Sequence, residues 1–165
     1  MRCLVILNVW LVSMAILFAC PHEGKTQPLP LYAPPATRVQ LHPSAHEEKK
    51  AQDLFGLAHK ENPRLTWDEC LAGKAFRRAK HMVDNNILSH RDPRTGKNPV
   101  WETVVQCRSF RYAGENLAKG YESADVIHRA LMQSPTHRHN LVDPKYRFVG
   151  VGCYNDVCVE LFAGF

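Results

Sequence analysis

The sequence contains no Cys-x-x-Cys pair, no Gly-x-Ser-x-Gly and no His-Glu-x-x-His. The first absence removes the usual spacing of a structural zinc site. The second removes the nucleophile elbow of an α/β-hydrolase, and the third the helix-borne metal motif of a metalloprotease. No internal repeat is present, and no stacking motif supports nucleic-acid binding. The net charge of +5 is modest for 165 residues. The densest basic run is Arg77-Arg78-Ala79-Lys80-His81. On a helix it spreads around the axis and reads as a solvated face, with contact to anionic lipid or cell-wall polymer as the alternative.

What is present begins with an export signal. Arg2 supplies a positive start, and Leu4 to Ala19 is apolar apart from Asn8 and Ser13. The run ends in Leu17-Phe18-Ala19-Cys20. A small residue before a Cys is what a lipoprotein signal peptidase reads, so Cys20 is a candidate lipidated first residue. The alternative is an uncleaved anchor, because the run is slightly shorter than the roughly 20 residues that span a bilayer. Either reading places the rest of the chain outside the cytoplasm. Residues 21–43 follow as a tether, with Pro21, Pro28, Pro30, Pro34, Pro35 and Pro43 and little periodic apolar content. Residues 44–165 make one domain of ordinary size.

With Cys3 in the signal and Cys20 at the anchor, four cysteines remain, an even set suited to two disulfides in an oxidising compartment. Phe148 to Cys153 and Val157 to Ala163 read as two strands joined at Asn155-Asp156. In that register Tyr154 faces Val157 and Cys153 faces Cys158. The cysteines then occupy the closer, non-hydrogen-bonded pair, with Cα atoms about 4.5 Å apart, within disulfide reach. Cys70–Cys107 follows by elimination.

Helical spacing marks the earlier part of the domain. Ser44 with Glu47 makes a capping box before Ala51, Leu54, Phe55 and Ala58, and Pro63 closes that segment. Thr66 with Glu69 reads as a second capping box, before a helix faced by Leu71, Ala75, Ala79 and Met82 and running to about Asn86. Polar residues with Pro93 and Gly96 then break the pattern. Ser123 caps a third helix, with Ile127, Ala130 and Leu131 on one face and Pro135 as its end. In the hairpin, one face carries Val149, Val151, Cys153, Cys158 and Phe162, and the other Phe148, Tyr154, Val157, Val159 and Leu161. Two apolar faces both need cover, which predicts a helix–sheet–helix sandwich. Glu160 interrupts the first face and is expected at its rim rather than buried and paired.

Four motifs in order carry a family resemblance. They are Tyr112-Ala113-Gly114-Glu115-Asn116-Leu117-Ala118, then Gly120-Tyr121, Ser134-Pro135-Thr136-His137-Arg138-His139-Asn140-Leu141, and Val149-Gly150-Val151-Gly152. Leu65-Thr66-Trp67-Asp68-Glu69 and Ser89-His90 also match. Over roughly residues 48–165 the chain resembles the bacterial branch of the CAP (or SCP) superfamily, named for cysteine-rich secretory proteins, antigens and pathogenesis-related proteins. The resemblance implies an α/β (α+β) fold, a three-layer α-β-α sandwich around a mainly antiparallel sheet. It also implies a cleft lined by two His and acidic residues. By motif, His90 matches the first cleft His, Glu115 the Glu of Gly-Glu-Asn, and His137 the His of Ser-Pro-x-His-Arg-x-Asn, with Ser134, Asn116 and Asn140 as neighbours. Where many members carry a Trp and, three residues on, a Glu, this chain has Leu131 and Ser134, so a second acidic group is missing. Gly56 stands where an Asn is common.

Two imidazoles and a carboxylate can hold a divalent metal such as zinc, with an open position for Lewis-acid chemistry. One His can act alone as a general base, its ordinary pKa near 6.5 being suited to that. The third use is bracing, in which the groups hydrogen-bond one another. Among the other histidines, His22 and His42 lie in the tether, and His46, His59 and His128 are expected to face solvent. His81 and His139 are undecided. Two functions stand. One is an exported binding module for a small apolar ligand, lipid, peptide or extracellular partner, held at a membrane through Cys20. The other, weakened by Ser134, is a metal-assisted hydrolase of the peptidase type using His90, Glu115 and His137.

Overall fold

The computed structural model describes residues 42–107 and 109–165. The expected signal, the candidate lipidation residue Cys20 and nearly all of the expected 21–43 tether lie outside the described residues.

Helix α1 (Ala45–Glu61) begins where the capping box predicts. Ser44 Oγ accepts from the Glu47 amide at 3.3 Å, and Glu47 accepts from the Ser44 amide at 2.7 Å. The other Glu47 oxygen accepts from the Asn155 amide at 2.9 Å, pinning the start of α1 to a distant hairpin turn. The second helix, α2 (Glu69–Asp84), starts differently from expectation. Thr66 belongs to a two-residue strand, β1 (Thr66–Trp67), and the cap is Asp68, whose carboxylate accepts from Leu71 N at 3.0 Å. Strand pairing took Thr66, and Asp is as good a cap as Thr.

Helix α3 (Val100–Val105) and strand β2 (Tyr112–Lys119) follow, then α4 (Ala124–Gln133), capped by Ser123. Pro135 does not simply end α4. It opens α5 (Pro135–Val142) at the first helical position, where a missing N–H costs nothing. Strands β3 (Tyr146–Tyr154) and β4 (Val157–Gly164) close the chain. The sheet order is β1-β3-β4-β2; β1 pairs with β3 in parallel, and β4 pairs antiparallel with both β3 and β2.

The hairpin register is the predicted one: Tyr154 opposes Val157 and Cys153 opposes Cys158. Asn155 takes the left-handed φ of 51° that the turn requires. Cys153–Cys158 bridges Cα atoms 4.1 Å apart, and Cys70–Cys107 joins Cα atoms 5.6 Å apart across 37 residues. The longer loop removes more freedom from the unfolded chain, so the second bridge stabilises more.

Both sheet faces are covered. On one, α1, α4 and α5 bury Leu54, Ile127 and Leu141 against Val149, Val151, Cys153 and Phe162. On the other, α2 and α3 bury Leu71, Met82 and Val104 against Val157, Val159 and Leu161. This is a three-layer α-β-α sandwich. Two polar residues contradict their expected exposure. Glu160 is 1% exposed rather than at a rim, because β4 lies inside the sheet between β3 and β2. His128 is buried rather than solvent-facing, with Nε2 3.3 Å from Glu61 Oε1.

Glycine sets how closely α2 approaches the sheet. A Cβ at Gly150 would sit 2.1 Å from Ala72 N, and one at Gly152 would sit 2.1 Å from Phe76 N. Backbone cannot yield as a side chain can. Gly152→Ala is expected to cost about 2–3 kcal/mol. A urea titration would show it as a lower midpoint with an unchanged slope; an unchanged midpoint would mean that α2 can shift freely.

Candidate functional site

The site begins at the end of α2. Asn86, at φ 50°, ends the helix in a Schellman turn, with Ile87 N bonded to Met82 O and Asn86 N to Val83 O. The chain turns there into the segment carrying His90. Arg78, on α2, holds that segment in place: its Nη2 donates to Ser89 O at 2.8 Å and its Nε to Glu115 Oε2 at 3.1 Å.

Glu115 and Asn116 are neighbours on β2 and so point to opposite sheet faces. Glu115, toward α2, has both oxygens engaged, one by Arg78 and the other by His90 Nδ1 at 2.9 Å. A carboxylate accepts, so Nδ1 is the donor and His90 Nε2 is left for other partners. The Glu115 side chain is 2% exposed and that of Arg78 11%, whereas His90 is 45% exposed. Asn116, toward α5, donates to His137 O at 3.2 Å and to Glu160 Oε2 at 2.9 Å. Its own oxygen accepts from Asn140 Nδ2 at 2.9 Å, and Asn140 also donates to Glu115 O. Gly114 leaves room for Asn140 and Tyr146, since a Cβ there would lie 3.0 Å from Asn140 Oδ1 and 2.6 Å from Tyr146 Oη.

His137 is carried by α5, and its Nδ1 lies 2.9 Å from Ser134 Oγ. The hydroxyl that stands in place of a second acid therefore orients this imidazole. The two imidazole rings lie 6.2 Å apart, centre to centre, tilted by 33°. Burial, and then the neighbouring His90, hold His137 below the ordinary His pKa and favour its neutral form. Glu160, beneath Asn116, is fully buried; burial pushes its carboxyl up to about 7, opposed by the Asn116 hydrogen bond. Among the described residues its second oxygen has no hydrogen-bond partner.

These groups meet at a cleft of about 550 Å³ lined by His90, Glu115, His137, Asn140, Thr136 and Trp101, among others. All three cleft candidates are thus brought together, with Asn140 in the wall and Ser134 and Asn116 acting from behind it. Two residues escaped the sequence reading. Arg78 was folded into a solvated basic run, yet it sits three residues after Ala75 and four before Met82, on the edge of the apolar stripe. That position was its signal. Trp101, 48% exposed, stands on α3, a six-residue helix with no periodic signature.

The residues fit a three-ligand metal site poorly. Glu115 has no oxygen without a partner, and the donor atoms of His90, Glu115 and His137 do not converge within 4.8 Å of one another. Among the described residues the one set that does is Asp68, Cys70 and Cys107, whose sulfurs are consumed in a disulfide.

The model of the cysteine-rich secretory protein (CAP) family matches residues 50–159. The chain is 32% identical over 110 residues to the uncharacterized protein YkwD of Bacillus subtilis, which covers 66% of this chain and 42% of that one. It therefore spans under half the length of that relative. An extracellular protein containing an SCP domain from Bacillus anthracis superposes with a TM-score of 0.65 at 28% identity, covering 72% of this chain and 41% of that one. An outer surface protein from Borrelia burgdorferi, 22% identical, shares the fold with a TM-score of 0.61 over 74% of this chain and 97% of its own. Among the described residues no helix is long and apolar enough to cross a membrane.

Proposed function

The chain belongs to the cysteine-rich secretory protein (CAP) family, and from that premise we propose that it works outside the cytoplasm as a binding module whose cleft takes a small ligand, a peptide or a partner's side chain. Export rests on residues 1–20, with Cys20 as the lipid attachment point. The observation that carries the reading is the state of Glu115. A buried carboxylate clamped by Arg78 and His90 braces a wall, and with both oxygens engaged it is not free to serve as a third metal ligand. What the cleft offers a visitor is the exposed face of Trp101, the outer nitrogens of two imidazoles and the polar side chains of Asn140 and Thr136. An aromatic face beside a few placed polar groups is the ordinary make-up of a ligand site.

One observation favours chemistry instead. His137 is held toward its neutral form beside a second imidazole, which suits a general base or a metal ligand. Calorimetric titration of zinc into the full chain, and into His90→Ala and His137→Ala variants shown to be folded, separates the two readings. The binding-module reading expects no one-to-one zinc binding that both substitutions abolish. Stoichiometric zinc lost in both variants, with turnover of a peptide substrate that depends on His90, would replace it with a metal-assisted hydrolase.

A further inference from the structure

Arg64 lies between α1 and β1, and Lys145 and Arg147 lie where β3 begins. Together with Pro144 and Phe165 they line an open depression of about 440 Å³. Most surface cations are simply hydrated or paired. Here, among the described residues, the guanidinium groups of Arg64 and Arg147 have no hydrogen-bonding or ion-pair partner. Lys145 is partly neutralised, with Nζ 3.1 Å from Asp143 Oδ2, an oxygen it shares with His139 at 3.2 Å. The Lys145 ammonium also stands 5.0 Å over the ring of Tyr112. Phe165 is 64% exposed while its ring packs on Phe110 and Phe148. The depression therefore joins two unpaired guanidinium forks and a half-paired ammonium to an anchored apolar wall.

We propose that this depression is a binding site for a phosphodiester group. A phosphodiester keeps one negative charge across the physiological range. Its tetrahedral oxygens suit guanidinium forks, which donate in pairs, better than they suit a point charge. Phe165 supplies contact for whatever apolar chain the phosphate carries. The ligand's source is either a lipid headgroup or a soluble phosphodiester, and the two differ in their use of Phe165.

The test is an NMR titration of the full chain at low ionic strength, following the amides of Lys145 to Arg147. One probe is dihexanoyl-phosphatidylglycerol below its micelle concentration. The other is glycerophosphoglycerol, the same headgroup without acyl chains. Saturable shifts are expected, weakened roughly tenfold or more in Arg64→Glu/Arg147→Glu and reduced by added salt. Arg64→Lys, which retains charge but not the fork, should fall between. Binding of the lipid probe alone, weakened by Phe165→Ala, identifies a lipid headgroup. Equal binding of both probes, indifferent to Phe165→Ala, identifies a soluble phosphodiester. No saturable shift with either probe, or shifts that persist in the folded double variant, would overturn the proposal.

Discussion

Glu160→Gln should abolish a pH dependence that the parent protein shows between about pH 4.5 and pH 7. Burial raises the folded-state pKa of Glu160 from 4.5 to about 7. Over that interval the folded state holds a proton that the unfolded state has released, so stability falls as pH rises. The stability associated with this proton is fully present below the unfolded value and is lost through the folded one. At 1.36 kcal/mol per unit, the loss at pH 8 is roughly 3 kcal/mol. Glutamine cannot ionise, and its amide oxygen can still accept from Asn116. Unfolding free energies of parent and variant, measured from pH 4.5 to 8, should diverge as pH rises, with the variant keeping the flatter profile. His137 shifts in the other direction, with stability lost as pH falls through its ordinary value, but it is common to both proteins and cancels in the difference. Parallel profiles would show that Glu160 is not protonated in the fold.

Glu115→Ala should be the most damaging substitution in the cleft. Removing one member of a buried ion pair leaves the other charge without compensation, at a cost of about 3–5 kcal/mol. Arg78, with a side chain 11% exposed, would be that charge, and His90 would lose its Nδ1 acceptor in the same step. Chemical denaturation measures the loss, and Arg78→Met tests its origin. If the stranded guanidinium is the cause, the double variant is less destabilised than the sum of the singles. Hydrogen exchange in residues 87–92 should also speed up, since Arg78 and Glu115 hold that segment from two sides. A loss under about 1 kcal/mol, the value of an exposed pair, would sink this account of the cleft.

Several parts of the fold could be read from local pattern. The alternation along β3 and β4 sorted their apolar residues onto the two faces that the packed helices cover, because a strand's period of two is strict. The two-residue turn at Asn155 set the register and with it the Cys153–Cys158 bridge. Ser44 and Glu47 announced α1 by themselves. Where readings failed, two local signals competed or none existed. Thr66 and Asp68 are both caps by type, and pairing of Thr66 with Phe148, distant in sequence, left the helix to Asp68. Pro135 is equally suited to follow one helix or to open another. Helix α3 is too short to show a period.

The site divides in the same way. The family resemblance carried by the ordered motifs implied that His90, Glu115 and His137 share one cleft, a statement about which residues gather. It was silent on what each does there, because a role depends on partners remote in sequence. Arg78 and Glu115 are 37 residues apart, and Asn116 and Glu160 are 44 apart. Only the packing of α2 and α5 on opposite faces of the sheet turned Glu115 into a clamped brace, and only the central place of β4 took Glu160 out of water. By itself, then, the sequence determined the layers and the hairpin through short-range periodicity, and through its motifs the family, whose resemblance named the cleft candidates. Burial, charge pairing and protonation were decided by the tertiary structure, since each is a property of what lies across the sheet.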